Sequence, residues 1–172
     1  MEKLENQPCP LCKKKTLTLI EDKKEIPYFG NAFIFSMSCS SCKYNKSDIE
    51  AEEQKEPCKY TIEVNSEKDM KIRIVKSSQA TIKIPQMRMS VTSGPASIGY
   101  ISNIEGVLDR FKKIIEDERD NAEDPKVKKH AKNLLKKLWK VKCGNEKLKI
   151  IMEDPSGNSA IISEKAEVKK LK

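Results

Sequence analysis

Two Cys-x-x-Cys knuckles constrain this chain more than any other feature. They are Cys9-Pro10-Leu11-Cys12 and Cys39-Ser40-Ser41-Cys42, with 26 residues between them. A two-residue spacer lets both thiolates of a knuckle face one ion, and two knuckles complete the tetrahedral sulfur shell that zinc prefers. The intervening stretch reads as a hairpin, with Leu17-Thr18-Leu19-Ile20 going out and Ala32-Phe33-Ile34-Phe35-Ser36 returning. A long hairpin brings the knuckles together at its base, which is the layout of a zinc ribbon. The competing reading is two disulfides. Met1 to Asn6 contains no apolar stretch of the kind a secretory leader needs, so we expect an intracellular, cytoplasmic chain, where disulfides are rare. We therefore expect one structural zinc held by Cys9, Cys12, Cys39 and Cys42. Four thiolates leave no open coordination position, so this zinc is not expected to activate water. Cys58 and Cys143 stand outside the pairs and read as small buried apolar residues.

The rest of the chain divides into unequal parts. Residues 1–50 form the ribbon, and the polar run 51–57, closing on Pro57, reads as a linker. Residues 58–164 form a β domain. Period-two alternation marks its strands: Tyr60, Ile62 and Val64; Met70, Ile72 and Ile74; Ile82 and Ile84 before Pro85; Met87, Met89 and Val91 before a Ser93-Gly94-Pro95 turn. A helical hairpin is inserted at about 103–142. Asn103 caps a first helix whose apolar stripe is Ile104, Val107, Leu108, Phe111 and Ile115. Asp124 followed by Pro125 opens a second helix, with Val127, Ala131, Leu134, Leu135 and Leu138 as its stripe and Gly144 at its end. Strands resume at Lys147–Met152 and Ala160–Ile162 around the turn-rich Asp154-Pro155-Ser156-Gly157-Asn158. The tail 165–172 is charged and is expected to fray.

Charge permits several partners and names none. The net charge is +8, carried by 30 Lys and 4 Arg. Arginine makes the bidentate contacts that read bases, whereas lysine is a point charge. The eight lysines of the second helix (125–142) are consistent with a solvated face or with a nucleic-acid-binding stripe. No run is long and apolar enough to span a membrane. His130 is the only histidine and sits among lysines, and no Walker loop or dinucleotide fingerprint is present. We expect no enzyme. The stretch Ile26-Pro27-Tyr28-Phe29-Gly30 lies at the hairpin tip, where its aromatics read either as a contact site or as a local minicore.

These motifs together resemble the ZPR-type zinc-finger family, in its single-module, archaeal form. The resemblance runs from Cys9 to about Ile162. It rests on Cys9-Pro10-x-Cys12, Ile26-Pro27-Tyr28-Phe29, Cys39-x-x-Cys42-x-Tyr44, Ala80-Thr81-Ile82-Lys83-Ile84-Pro85, the run Gly99 to Leu108, and Asp154-Pro155-Ser156-Gly157-Asn158-Ser159. It implies a mainly β fold with an α insertion: a four-cysteine zinc ribbon joined to a double-stranded β-helix-like sandwich carrying a helical hairpin. It also implies binding of translation elongation factor one-alpha, as an adaptor or folding factor. Tyr28 and Phe29 at the tip, with Asp154, Ser156 and Asn158 in the loop, would then be the partner contacts. Family ribbons usually carry Gly after the last cysteine. Here that residue is Lys43, which implies a slightly different turn.

Overall fold

The computed structural model describes residues 1–26 and 30–171. The ribbon is a four-stranded antiparallel meander of β1 (Glu2–Pro8), β2 (Lys15–Ile26), β3 (Gly30–Cys39) and β4 (Asn45–Ala51). Leu17 pairs with Cys39 and Ile26 with Gly30, so the hairpin does return the second knuckle to the first. Two strands escape sequence patterning. β1 is almost wholly exposed, and β4 is polar over its first half.

Alternation gives this sheet two unlike faces. Ile34, Ile49, Ala32 and Ala51 share the inner face through cross-strand pairing. They pack with Ile26 on Val75 and Ile162 of the second domain. The outer face carries Leu19 opposite Met37, Glu21 opposite Phe35 and Lys23 opposite Phe33.

Beyond the ribbon come β5 (Cys58–Val64), β6 (Arg73–Lys76), β7 (Thr81–Ile84), β8 (Met89–Val91), β9 (Tyr100–Asn103), α1 (Ile104–Asn121), α2 (Pro125–Lys142), β10 (Leu148–Asp154), β11 (Ala160–Ile162) and β12 (Glu167–Lys170). One sheet has the order β12-β5-β10-β7-β8 and the other β11-β6-β9. Ile62, Ile74, Ile82, Ile150 and Met152 fill the core, and the same cluster takes in Leu108, Phe111, Ile115, Leu134 and Leu138 of the hairpin. The helices are thus part of the domain's single core.

Both helix starts match their sequence signals. Asn103 Oδ1 accepts from Gly106 N at 2.8 Å, and Asp124 Oδ1 accepts from Lys126 N at 2.8 Å. The end of α2 closes in a Schellman arrangement: Asn145 N donates to Lys140 O and Gly144 N to Val141 O, with Gly144 at φ +69°.

Three sequence expectations are corrected. Met70 and Met87 lie in short 3-10 turns, Glu67–Lys71 and Pro85–Met87, instead of in strands. The tail does not fray: β12 pairs with β5, placing Val168 opposite Tyr60. Lys165 Nζ also bonds Asp69 Oδ1 at 2.7 Å. The segment 51–57 is not a free linker. Ala51 belongs to β4, Lys55 N donates to Ser156 O at 2.8 Å, and Gly157 packs against Glu56. Gly157 has φ +69°, and a Cβ there would come within 2.2 Å of the Glu56 carbonyl oxygen. Only glycine allows that approach.

Candidate metal centre and its surroundings

The four sulfurs of Cys9, Cys12, Cys39 and Cys42 lie within 4.8 Å of one another. Cys9 and Cys42 Sγ are 3.6 Å apart, and Cys12 and Cys39 Sγ are 3.7 Å apart. A sulfur tetrahedron around zinc, with Zn–S of about 2.3 Å, has edges of about 3.8 Å. The donor set and its spacing fit zinc. The local fold explains the placement. Each knuckle closes with a backbone bond across it: Lys13 N to Cys9 O at 3.0 Å, and Lys43 N to Cys39 O at 3.1 Å. Leu17, with the flanking Leu19, Met37 and Tyr44, packs around the sulfurs.

The second knuckle turns like the first. Lys13 has φ +60° and Lys43 φ +61°, so a lysine adopts the left-handed conformation at both sites. For a residue with a Cβ this costs roughly 1–2 kcal/mol. Lys43→Gly should therefore raise stability by up to about 1 kcal/mol, read as a higher chemical-denaturation midpoint at unchanged zinc content. An unchanged or lower midpoint would show that Lys43 bears no strain.

The surroundings of the four thiols differ. The Cys42 N–H and the Thr16 hydroxyl, 3.2 Å away, draw the Cys39 thiol down to about 6 against the effect of burial. Cys42 is pushed up to about 11: the Tyr44 N–H favours its thiolate, but burial and the neighbouring cysteine sulfurs outweigh it. Metal loading must expel the protons that the remaining thiols hold, so affinity falls as pH drops.

The other expected site residues lie elsewhere. Tyr28 and Phe29 fall outside the described residues. Asp154, Ser156 and Asn158 read in sequence as an exposed turn, and the structure places all three inside. Asp154 is completely buried. Its Oδ1 accepts from Ser156 N at 2.8 Å and Ser156 Oγ at 2.7 Å, and its Oδ2 from Ser159 Oγ at 2.5 Å. Ser159 Oγ in turn accepts from Ser77 N at 2.9 Å. Buried Lys76 lies close by; desolvation lowers its pKa, and Asp154 is the main influence opposing that. Ser156 and Asn158 line a cleft of about 270 Å³ between Ile49–Ala51 of the ribbon and Ser77–Gln79. Asn158 Oδ1 has no hydrogen-bond partner among the described residues.

Sequence reasoning missed the outer ribbon face. Leu4 lies opposite Leu19, which lies opposite Met37, and Phe33 and Phe35 stack at 6.4 Å between ring centres. Leu4 is 59% exposed, and shallow grooves flank the Phe35–Met37 ridge on both sides. The cross-strand register of Phe33, Phe35 and Met37 was the available signal.

A family profile described as the ZPR1 zinc-finger domain matches residues 1–57, and one described as the ZPR1 jelly-roll domain matches residues 68–172. The chain belongs to the ZPR1 family. A ZPR1-like protein of Methanocaldococcus jannaschii is 38% identical over 97% of this chain and 85% of its own length. A ZPR1-like protein of Pyrococcus horikoshii is 38% identical over 95% of this chain and 75% of its own. The zinc finger chaperone zpr1 of Schizosaccharomyces pombe is 26% identical over 79% of this chain, which spans only 30% of that protein. The ZPR1 match agrees with the cysteine geometry on zinc binding and with the two sheets on the jelly roll. Among the described residues, no helix is long and apolar enough to cross a membrane.

Proposed function

We propose that the chain is a zinc-stabilised protein-interaction module that binds translation elongation factor one-alpha as an adaptor or folding factor, with one ion in the four-cysteine site and no catalysis of its own. The observation that carries this reading is the outer ribbon face. Exposed Leu4 and half-buried Leu19, Phe33, Phe35 and Met37 form a connected apolar stripe on it, while the inner face is already used against the second domain. An exposed apolar surface with a polar rim marks an interaction site. Four carboxylates, Glu2, Glu21, Asp48 and Glu50, border it against two lysines, Lys23 and Lys46, so the rim is net acidic on a chain whose net charge is +8. That rim favours a client segment mixing apolar and basic side chains.

The chaperone name of the fission-yeast relative supports a protein client. The family resemblance supports elongation factor one-alpha, with Tyr28 and Phe29 as further contacts. Asp154, Ser156 and Asn158 are buried in the jelly-roll domain and in this reading do not touch the client. Six cysteines outside any disulfide suit the reducing cytoplasm.

The test is co-elution of the zinc-loaded chain with the host elongation factor, with GTP, with GDP and without nucleotide. Phe35→Ala should weaken the complex by about 2 kcal/mol, the scale of an aromatic hot spot, and leave zinc content intact. No complex in any nucleotide state would remove elongation factor one-alpha as the client. Unchanged affinity in the variant would remove the outer face as the contact.

A further inference from the structure

Helix α2 carries eight lysines and no carboxylate between Pro125 and Lys142. Two of the eight are paired: Lys137 with Glu146 at 3.2 Å, and Lys142 with Asp109 at 2.6 Å and Glu105 at 3.5 Å. Among the described residues the other six, from Lys126 to Lys140, have no carboxylate within ion-pair distance. Asp120 is bonded to Arg119 at 2.7 Å, and Lys128 acts on it only as a weaker, more distant charge.

The helix is fixed in rotation. Ala131, Leu134, Leu138 and Val141 are buried in the domain core, so the opposite side is held outward. On that side stands Trp139, the only tryptophan of the chain, 65% exposed. Residues three, seven and eleven positions earlier share its face of a helix, and here they are Lys136, Lys132 and Lys128. A merely solvated face accounts for the lysines but not for the indole, which leaves a large apolar ring in water. Aromatic and cation in one stripe complement a polyanion that also offers flat apolar rings.

We propose that the outer face of α2 binds single-stranded nucleic acid, with Trp139 stacking on a base and Lys128, Lys132, Lys136 and Lys140 meeting phosphates. The single strand follows from the indole, since a base inside a duplex has no free face to stack on. Sequence tolerance follows from the absence of arginine in α2, because lysine alone reads base edges poorly. This site is separate from the outer ribbon face and goes beyond the client-binding role.

The experiment uses the full zinc-loaded chain and a fifteen-nucleotide oligouridylate. Emission from the lone tryptophan reports the proposed face directly, and anisotropy of a labelled strand gives affinity. Saturable quenching is expected at low salt, with log affinity falling against log salt at a slope of about −3 for four phosphate contacts. Trp139→Ala should weaken binding about tenfold, with Trp139→Phe recovering most of it. Lys132→Gln with Lys136→Gln should weaken binding and flatten the slope by about half. These residues are on the surface, and an unchanged helical circular dichroism spectrum confirms that the variants fold. Absence of quenching at low salt overturns the proposal. So does equal affinity of the native chain and Trp139→Ala, or binding of polyglutamate as tight as that of the oligonucleotide, which would assign the face to acidic protein.

Discussion

Cys39→Ser, or removal of zinc by a chelator, is expected to unfold the knuckle end of the ribbon while the jelly roll stays folded. The apolar cluster at that end consists of Cys9, Leu17 and Cys39 with a few half-buried neighbours, too little to hold two turns together without metal. Structural zinc supplies on the order of 10–16 kcal/mol in isolated finger peptides, and for so small a unit that binding free energy is its folding free energy. The jelly roll has its own core of some twenty buried side chains and needs no ion. Residue-resolved hydrogen exchange separates the two domains. Amides of Cys9–Leu19 and Ser36–Tyr44 should lose protection, while those of Ile62, Ile82 and Ile150 keep it. Uniform loss would mean that the ribbon and jelly roll fold as one unit, and no loss would mean that zinc is dispensable.

The second large effect is expected at Asp154. Asp154→Ala removes the acceptor for three donors, one backbone N–H and two hydroxyls, in a place water does not reach. Hydrogen bonds to a charged group are each worth about 1.5–3 kcal/mol, so a loss of at least about 3 kcal/mol is expected, a large share of a domain's stability. The variant should also change the pH dependence. Without Asp154, the Lys76 ammonium loses the main attraction opposing its desolvation, and its pKa falls further below the ordinary lysine value. The unfolded chain then binds more protons than the folded one over a wider range, so stability should climb more as pH rises toward the ordinary lysine pKa than in the native protein. Asp154→Asn, which keeps one acceptor oxygen, puts an NH2 donor in place of the other and carries no charge, should recover part of the stability and retain the steeper climb. Urea midpoints across that range decide it, and parallel curves for native and variant would show that Lys76 does not sense Asp154.

What the sequence disclosed, it disclosed through local signals. The knuckles are defined by spacing alone. The helices announce themselves by caps two or three residues from their targets, and by stripes whose period survives in any tertiary setting. Strands with one buried face, such as Ile62–Val64 or Ile82–Ile84, were legible for the same reason. β1 and β12 were not, because they sit at sheet edges with both faces largely wet, and so carry no alternation to find. The interior position of Asp154 was hidden by distance along the chain. Its turn is buried by Ser77 and by the ribbon-to-jelly-roll segment at Lys55 and Glu56, none of which is adjacent in sequence. Turn chemistry predicts a bend correctly and cannot say whether something will be laid over it.

The pairing of β12 with β5 bears on what one edge of the sheet offers to other chains in a crowded cell. Without β12, the N–H and C=O groups of β5 along that side would form an open template, next to the apolar Tyr60 and Ile62, on which another extended chain could polymerise. The strand that covers it contributes almost nothing to the core. It is Glu167-Val168-Lys169-Lys170, charged and solvated along its length. A short, charged strand accepts the inward hydrogen bonds and offers a poor surface for the next one. Its service is colloidal: it closes the β5 side of the sheet with a strand that is a poor template for another molecule.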